Sequence, residues 1–216
     1  MKSYLFFGYR EWAIDIFNMV KNPTEKWTLV CNSLFCKRKY IDSIKPDIIF
    51  FYGWSNIVPS EIVNNYMCLC LHPSPLPKYR GGSPIQNQVI AGEKTSAVTI
   101  FRMTEDVDRG EILFQEAFLL DGYLSEILER IKGLGYSGTH KIINRLNDDY
   151  MGGLIQNEIN ATIFKRRSPK QSEIKPTEYD AKYCYDMIRC LQPPYPEAFI
   201  KCKEGRLIIE KARYEI

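Results

Sequence analysis

Apolar positions in this chain fall into short continuous runs separated by helical stripes. Tyr4, Leu5, Phe6 and Phe7 form a run that stops at Gly8, and Trp12, Ala13, Ile16, Phe17 and Val20 follow at the spacing of one helical face. A strand, a turn and a helix are predicted. Residues 27–31 predict a second strand and residues 48–52 a third, the latter introduced by Pro46-Asp47 and apolar throughout, as expected of a strand covered on both faces. Ile62 and Val63 mark a short helical segment, and residues 67–71 a fourth strand that runs into Pro73, Pro75 and Pro77. Prolines so closely set cannot continue a ladder, so residues 72–77 are expected to be a fixed loop.

Gly81-Gly82-Ser83-Pro84 predicts a flexible turn, a cap at Ser83, and a helix that starts at Pro84 and runs to about residue 91. Strands are expected at 97–103 and 112–120. Strand-helix-strand units join parallel strands, which would bring the loops at 72–82 and 104–110 out of the same sheet edge. Open parallel sheets bind ligands there. Leu124, Ile127, Leu128 and Ile131 give one helical stripe and Ile142, Ile143 and Leu146 another, with Gly133, Gly135 and Gly138 reading as a break. From Met151-Gly152-Gly153 the texture turns basic and polar through Lys165-Arg166-Arg167, which reads as a solvated linker. A helix carrying Tyr183, Met187, Ile188 and Leu191 and a strand pair turning at Gly205 complete the chain. The pattern is that of an α/β fold: a mostly parallel sheet with helices on both faces over residues 1–155, then a linker and a small α+β extension over 156–216.

With 216 residues, 45% of them hydrophobic, one full core is possible but not two large ones. The 29 basic and 26 acidic residues leave a net charge of +3 with no long basic run, so nucleic acid is an unlikely partner. The odd set of seven cysteines, mostly inside apolar runs, reads as reduced thiols. Cys68 and Cys70 alternate like a ligand pair, but no second pair stands at zinc-site spacing, and no metal is expected. Residues 5–7 are too short for a signal-peptide core, and no run approaches the roughly 20 residues of a membrane span. A cytoplasmic protein with no membrane partner is expected.

His72 falls at the end of a buried strand, where an imidazole would be held near a cleft, and Asp108 lies in the Asp106-Val107-Asp108-Arg109-Gly110 loop. Alone, the first is more often a structural or exposed strand-end histidine, and the second reads as a turn carboxylate. Together they suit acyl transfer to an amine: the carboxylate orients the ring and accepts a proton, and the imidazolium stabilises a tetrahedral oxyanion. Asp106, two positions away, is the rival carboxylate.

The ordered set from Cys70-Leu71-His72-Pro73-Ser74-Pro75-Leu76-Pro77 through Lys78-Tyr79-Arg80-Gly81-Gly82-Ser83-Pro84-Ile85-Gln86, then Gly92-Glu93, Val98-Thr99, Met103 and Asp108-Arg109-Gly110, resembles the core of the formyltetrahydrofolate-dependent formyltransferases. That family includes methionyl-tRNA, glycinamide ribonucleotide and sugar-nucleotide enzymes. The match is dense over 46–115. The resemblance implies a Rossmann-like catalytic domain, N10-formyltetrahydrofolate as formyl donor, and His72 and Asp108 as two of three catalytic residues. At the third position, where the family has asparagine, stands Cys70. A thiol is a weak donor, and losing one oxyanion donor costs on the order of 10²-fold in rate. Asn87 is either a replacement amide or a solvated helix residue.

The segment 164–169 and the later Ile188-Arg189, Pro194-Tyr195-Pro196 and Ala198-Phe199 look like the linker and tail of the sugar N-formyltransferases. A nucleotide-linked amino-dideoxy sugar is therefore the expected acceptor, with methionyl-tRNA or another small amine as the alternative. A catalytically impaired folate or nucleotide-sugar binding protein is the reading from outside the enzymes. Lys78, Arg80 and the amides around Gly82 are suited to a diphosphate, or are a glycine turn with solvated charges. Tyr52 and Trp54 either flank the folate's pterin, with Asp106 nearby, or pack in the core. The apolar tail suits a homodimer.

Overall fold

The computed structural model describes residues 1–145 and 152–215. Elements follow in the order β1 (Ser3–Phe7), α1 (Glu11–Val20), β2 (Lys26–Val30), α2 (Arg38–Ile44), β3 (Ile48–Tyr52), α3 (Ser60–Val63), β4 (Cys68–His72), β5 (Arg80–Gly81), α4 (Pro84–Ile90), β6 (Thr95–Arg102), β7 (Ile112–Leu119), α5 (Leu124–Arg145), β8 (Ile163–Phe164), α6 (Ala181–Cys190), β9 (Phe199–Cys202) and β10 (Gly205–Ile208).

Six strands make the central sheet in the order β2-β1-β3-β4-β6-β7, the first four mutually parallel. Side chains alternate along each strand, so one set, with Tyr4, Phe6, Phe50, Tyr52, Leu69 and Leu71, meets α1 and α5. The other set, with Leu5, Phe7, Ile49, Phe51 and Cys68, meets Ile41 of α2 and Ile62 of α3. Helices thus cover both faces, which is why every residue of β3 is buried. Each large apolar side chain so withdrawn from water contributes roughly 1.5–3 kcal/mol.

Three expectations are corrected. First, β6 runs antiparallel to β4, with His72 opposite Thr99 and Leu69 opposite Arg102. The loop after β6 therefore leaves from the opposite end of the strands from the loop after β4. It nevertheless returns to the same place, bringing Asp108 Oδ2 to 3.5 Å from His72 Nδ1 and onto the Gly81 N–H. The connection through α4 is long enough for either strand sense, and apolar runs carry no direction. Second, α5 is one unbroken helix, although Leu146 of the second stripe lies outside the described residues. A Cβ at Gly135 would come within 2.8 Å of Ile16 and Leu71 side-chain carbons, and one at Gly138 within 2.7 Å of Phe114. These glycines let the helix lie close against α1 and the sheet. Third, Ser83 does not cap α4 with its side chain: it has left-handed backbone (φ 52°), and its Oγ accepts from Arg167 N–H at 3.1 Å.

Beyond the sheet, α6 packs on α4, and Met187, Ile188, Cys190 and Leu191 join the same core as the central strands. Buried Arg189 pairs with Asp186 at 2.6 Å and donates to the Leu120 and Gly122 carbonyls. The expected β9-β10 hairpin is present; it turns at Lys203-Glu204, and Gly205, at φ 107°, opens β10 opposite Cys202. Among the described residues no helix is long and apolar enough to cross a membrane.

Candidate active site

The last residue of β4 brings His72 to the wall of a 620 Å³ cleft that is also lined by Cys70, Trp54, Gly82, Gln86, Asp106 and Asp108. Its volume is that of small-molecule sites, roughly 300–1,000 Å³. His72 is 6% exposed. Its Nε2 lies 2.8 Å from the Tyr79 carbonyl, which can only accept, so that nitrogen carries a proton. Nδ1 is thereby the nitrogen left to exchange a proton, and it faces Asp108 Oδ2 at 3.5 Å. That separation is too long for a tight hydrogen bond, and leaves room for a third group at the same nitrogen.

Asp108 is fixed from several sides. Its Oδ2 accepts the Gly81 N–H at 2.7 Å, and its own carbonyl accepts from Gln156 Nε2 at 2.9 Å. The same Gln156 nitrogen donates to the Gly110 carbonyl at 2.8 Å, and Gln156 Oε1 accepts from Arg80 Nε and Nη2 at 3.1 and 2.8 Å. Arg80 in turn grips Glu158 with two bonds, 2.9 and 2.7 Å, which hold the Glu158 carboxyl below its ordinary value. Asp108, Tyr79 and Ser83 all have positive φ, 55°, 59° and 52°. Three non-glycine residues in that sparsely populated region around one cleft are a cost that only an over-determined site retains. Gly81 is required here: at φ +91°, a Cβ would stand 2.3 Å from the Phe164 carbonyl oxygen.

Not every expected residue arrives. Tyr52 points to the opposite face, wholly buried against Phe6 and Phe50 with its hydroxyl on Thr139 Oγ1 at 2.8 Å, so it cannot flank a ligand in the cleft. Arg80 is 2% exposed, engaged with Gln156 and Glu158, and outside the cleft lining, so it braces the Asp108 loop instead of facing the cleft. Lys78 is exposed and outside the cleft lining. Gly82 reaches the cleft, but its N–H is bound to the Phe164 carbonyl at 2.8 Å, and the Gly81 N–H to Asp108, so neither amide is open to a phosphate. Asn87 donates to the Gly82 carbonyl at 2.9 Å and does not line the cleft. Of the two carboxylates, Asp108 rather than Asp106 meets the imidazole, while Asp106 stays exposed at the cleft rim. Burial, with the charge of Asp108 second, pushes the Cys70 thiol well above its ordinary value, so it stands as a neutral thiol and not as a nucleophile.

Other residues enter the cleft that the pattern of apolar positions did not mark. The segment read as a solvated linker is stitched to the cleft by the β5-β8 ladder and by Arg167 N–H on Ser83. Arg166 and Arg167 thereby line the same cleft as Arg10 of the β1-α1 turn. Arg10 lies over the Tyr195 ring at 4.9 Å and donates to the Pro194 carbonyl, Arg166 donates to the Ser55 carbonyl, and Arg167 to the Gln171 carbonyl. Neutral acceptors hold all three guanidinia, and among the described residues none has a carboxylate partner. Arg167 Nε, Trp54 Nε1 and Gln86 Nε2 are buried donors with no partner among the described residues. Among the described residues no cluster of side chains could hold a metal ion.

Residues 35–135 match the model of a family described as formyl transferase. A methionyl-tRNA formyltransferase from Clostridium thermocellum superposes on the whole chain with a TM-score of 0.89 at 30% identity, and 94% of that structure is covered. The chain belongs to the formyl transferase family. A methionyl-tRNA formyltransferase of Lysinibacillus sphaericus is 33% identical over 76% of this chain and 53% of its own length. The chain thus spans about half the length of the curated relatives of that name that it matches. A sugar N-formyltransferase from Shewanella sp. FDAARGOS_354 covers the full chain with a TM-score of 0.79 at 19% identity, a likeness of fold. This family member keeps the histidine and carboxylate implied by the resemblance in one cleft, and has Cys70 where the family's asparagine is expected.

Proposed function

We propose that this chain transfers a formyl group from N10-formyltetrahydrofolate to the amine of a nucleotide-linked amino-dideoxy sugar. The observation that carries the reading is the His72–Asp108 pair, set at 3.5 Å in a cleft that Arg10, Arg166 and Arg167 also line without counter-charges. Guanidinia held by carbonyls and left un-neutralised favour an anionic acceptor such as a nucleoside diphosphate. Family membership supports the folate donor. Trp54, with Phe51, Met103 and Val107, gives the cleft an apolar wall fit for a pterin ring, and Asp106 stands beside it as an acceptor for the ring's amino groups.

In this reading the acceptor's neutral amine attacks the formyl carbon, the new C–N bond forms, and the bond to N10 breaks. In its imidazolium form His72 directs Nδ1–H at the developing oxyanion, while Asp108 orients the ring, takes the proton the amine releases and passes it to N10 as that nitrogen leaves. Residues 1–155 carry this chemistry, and the following segment supplies the arginine wall. A second reading, methionyl-tRNA as acceptor, is favoured by the likeness to methionyl-tRNA formyltransferases. The test is formyl transfer from N10-formyltetrahydrofolate to dTDP-linked 3-amino and 4-amino dideoxyhexoses and to initiator methionyl-tRNA, followed by mass. We expect an amino sugar to be formylated, with Arg166→Ala and Arg167→Ala each raising its KM about tenfold and leaving kcat within about threefold. Formylation of tRNA alone overturns the acceptor; no transfer to any of them overturns the enzyme reading.

A further inference from the structure

The cleft lacks an amide at position 70, yet it has another. Gln86, in the first turn of α4, lines the same cleft as Cys70, His72 and Asp108, is 3% exposed, and its Nε2 finds no partner. Its neighbours on the helix are all engaged: Gln88 Nε2 bonds the Pro73 and Pro84 carbonyls, and Asn87 Nδ2 bonds the Gly82 carbonyl. A buried amide hydrogen left unpaired is costly to folding, and such groups in folded proteins call for a ligand or a catalytic duty. The backbone holding Gln86 is the same loop that carries the Asp108 and His72 partners: Gly81 N–H on Asp108 and the Tyr79 carbonyl on His72. Helix α4 is itself locked against α6.

Resting on the formyl-transfer reading, we infer that Gln86 is a catalytic residue: its side-chain amide donates to the oxyanion of the tetrahedral species, the service that Cys70 cannot give. A neutral thiol donates weakly, and its raised titration rules out a compensating thiolate, which would repel the oxyanion. Gln86 stands on a helix and His72 at the end of a strand, and both line the one cleft, so the proposed second donor leaves the His72–Asp108 pair as it is. No bond is made to Gln86, and it neither gains nor loses a proton.

The experiment compares wild type, Gln86→Met, Cys70→Asn and the double variant, with N10-formyltetrahydrofolate as donor. The readouts are transfer to the amino sugar formylated in the panel above and donor hydrolysis by water, which passes through the same oxyanion. Gln86→Met should lower kcat about 100-fold in both with donor KM within about threefold, and adding Cys70→Asn should restore at least about tenfold. Equal loss in the single and double variants assigns Gln86 a packing role and overturns the proposal. Cys70→Asn in the otherwise native chain needs no disturbance of α4: its kcat should stay within about threefold, since a donor is already in place, and a gain near 100-fold overturns the proposal even if Gln86→Met does not fold. Wild type showing neither transfer nor hydrolysis overturns the formyl-transfer reading and this inference with it, whereas wild-type turnover untouched by Gln86→Met overturns this inference alone.

Discussion

A single carbonyl decides how His72 works. Because the Tyr79 oxygen can only accept, Nε2 is occupied as a donor and all proton exchange must pass through Nδ1, the edge that faces Asp108. Removing the charge of Asp108 while preserving its shape should therefore depress turnover and spare the fold, since Asn still accepts the Gly81 N–H through its carbonyl oxygen. For Asp108→Asn we expect kcat to fall by about 10²–10⁴ with thermal stability nearly unchanged, as measured by steady-state rates and a melting curve. The matching change at Asp106, exposed and away from the imidazole, should leave kcat within about threefold; a large kcat loss there with none at Asp108 reverses the assignment. His72 and Asp108 were legible as residues in the sequence, whereas the tautomer was not, because it depends on a backbone oxygen that no side-chain pattern encodes.

Among the elements, α5 shows how a glycine can be misread. Glycine costs roughly 1 kcal/mol relative to alanine inside a helix, so three within six positions suggest a break. Two of the three are needed for close approach, with Ile16, Leu71, Ile100 and Phe114 occupying the space a side chain would take, while Gly133 meets nothing within 4 Å. The three positions should therefore separate in a stability assay. Gly133→Ala is expected to stabilise by about 0.5–1 kcal/mol, and Gly135→Val to destabilise by about 2 kcal/mol through overpacking, as read from urea midpoints. Equal effects at both positions contradict the close-approach account. The direction of β6 was hidden for a related reason. Apolar content fixes that a strand is buried, but parallel and antiparallel neighbours bury it equally well.

At the level of the whole molecule, the cleft is assembled from segments far apart in the chain. Glu158, Arg80 and Gln156 form a relay of hydrogen bonds that ends on the Asp108 and Gly110 carbonyls, and so ties the segment after residue 155 to the geometry of the His72–Asp108 pair. Gln156→Leu would leave buried carbonyls and a buried guanidinium short of partners. We expect a stability loss of about 1–3 kcal/mol. A kcat loss of about tenfold to a hundredfold should accompany it from displacement of Asp108. Unchanged kcat in a destabilised variant shows that the Gly81 N–H suffices to hold the carboxylate.

The chain's own pattern determined the strands and helices and the twofold coverage of the sheet, and pointed to one imidazole and two candidate carboxylates, because burial periodicity and proline or glycine punctuation are local properties. Tertiary structure alone decided which cations face the cleft. Arg80 was drawn inward to brace a loop, Tyr52 was turned to the far face by strand alternation, and Arg166 and Arg167 were brought from a polar segment to the cleft wall by a two-residue ladder. Such outcomes rest on contacts between residues tens of positions apart, whose energy exists only once both partners are in place.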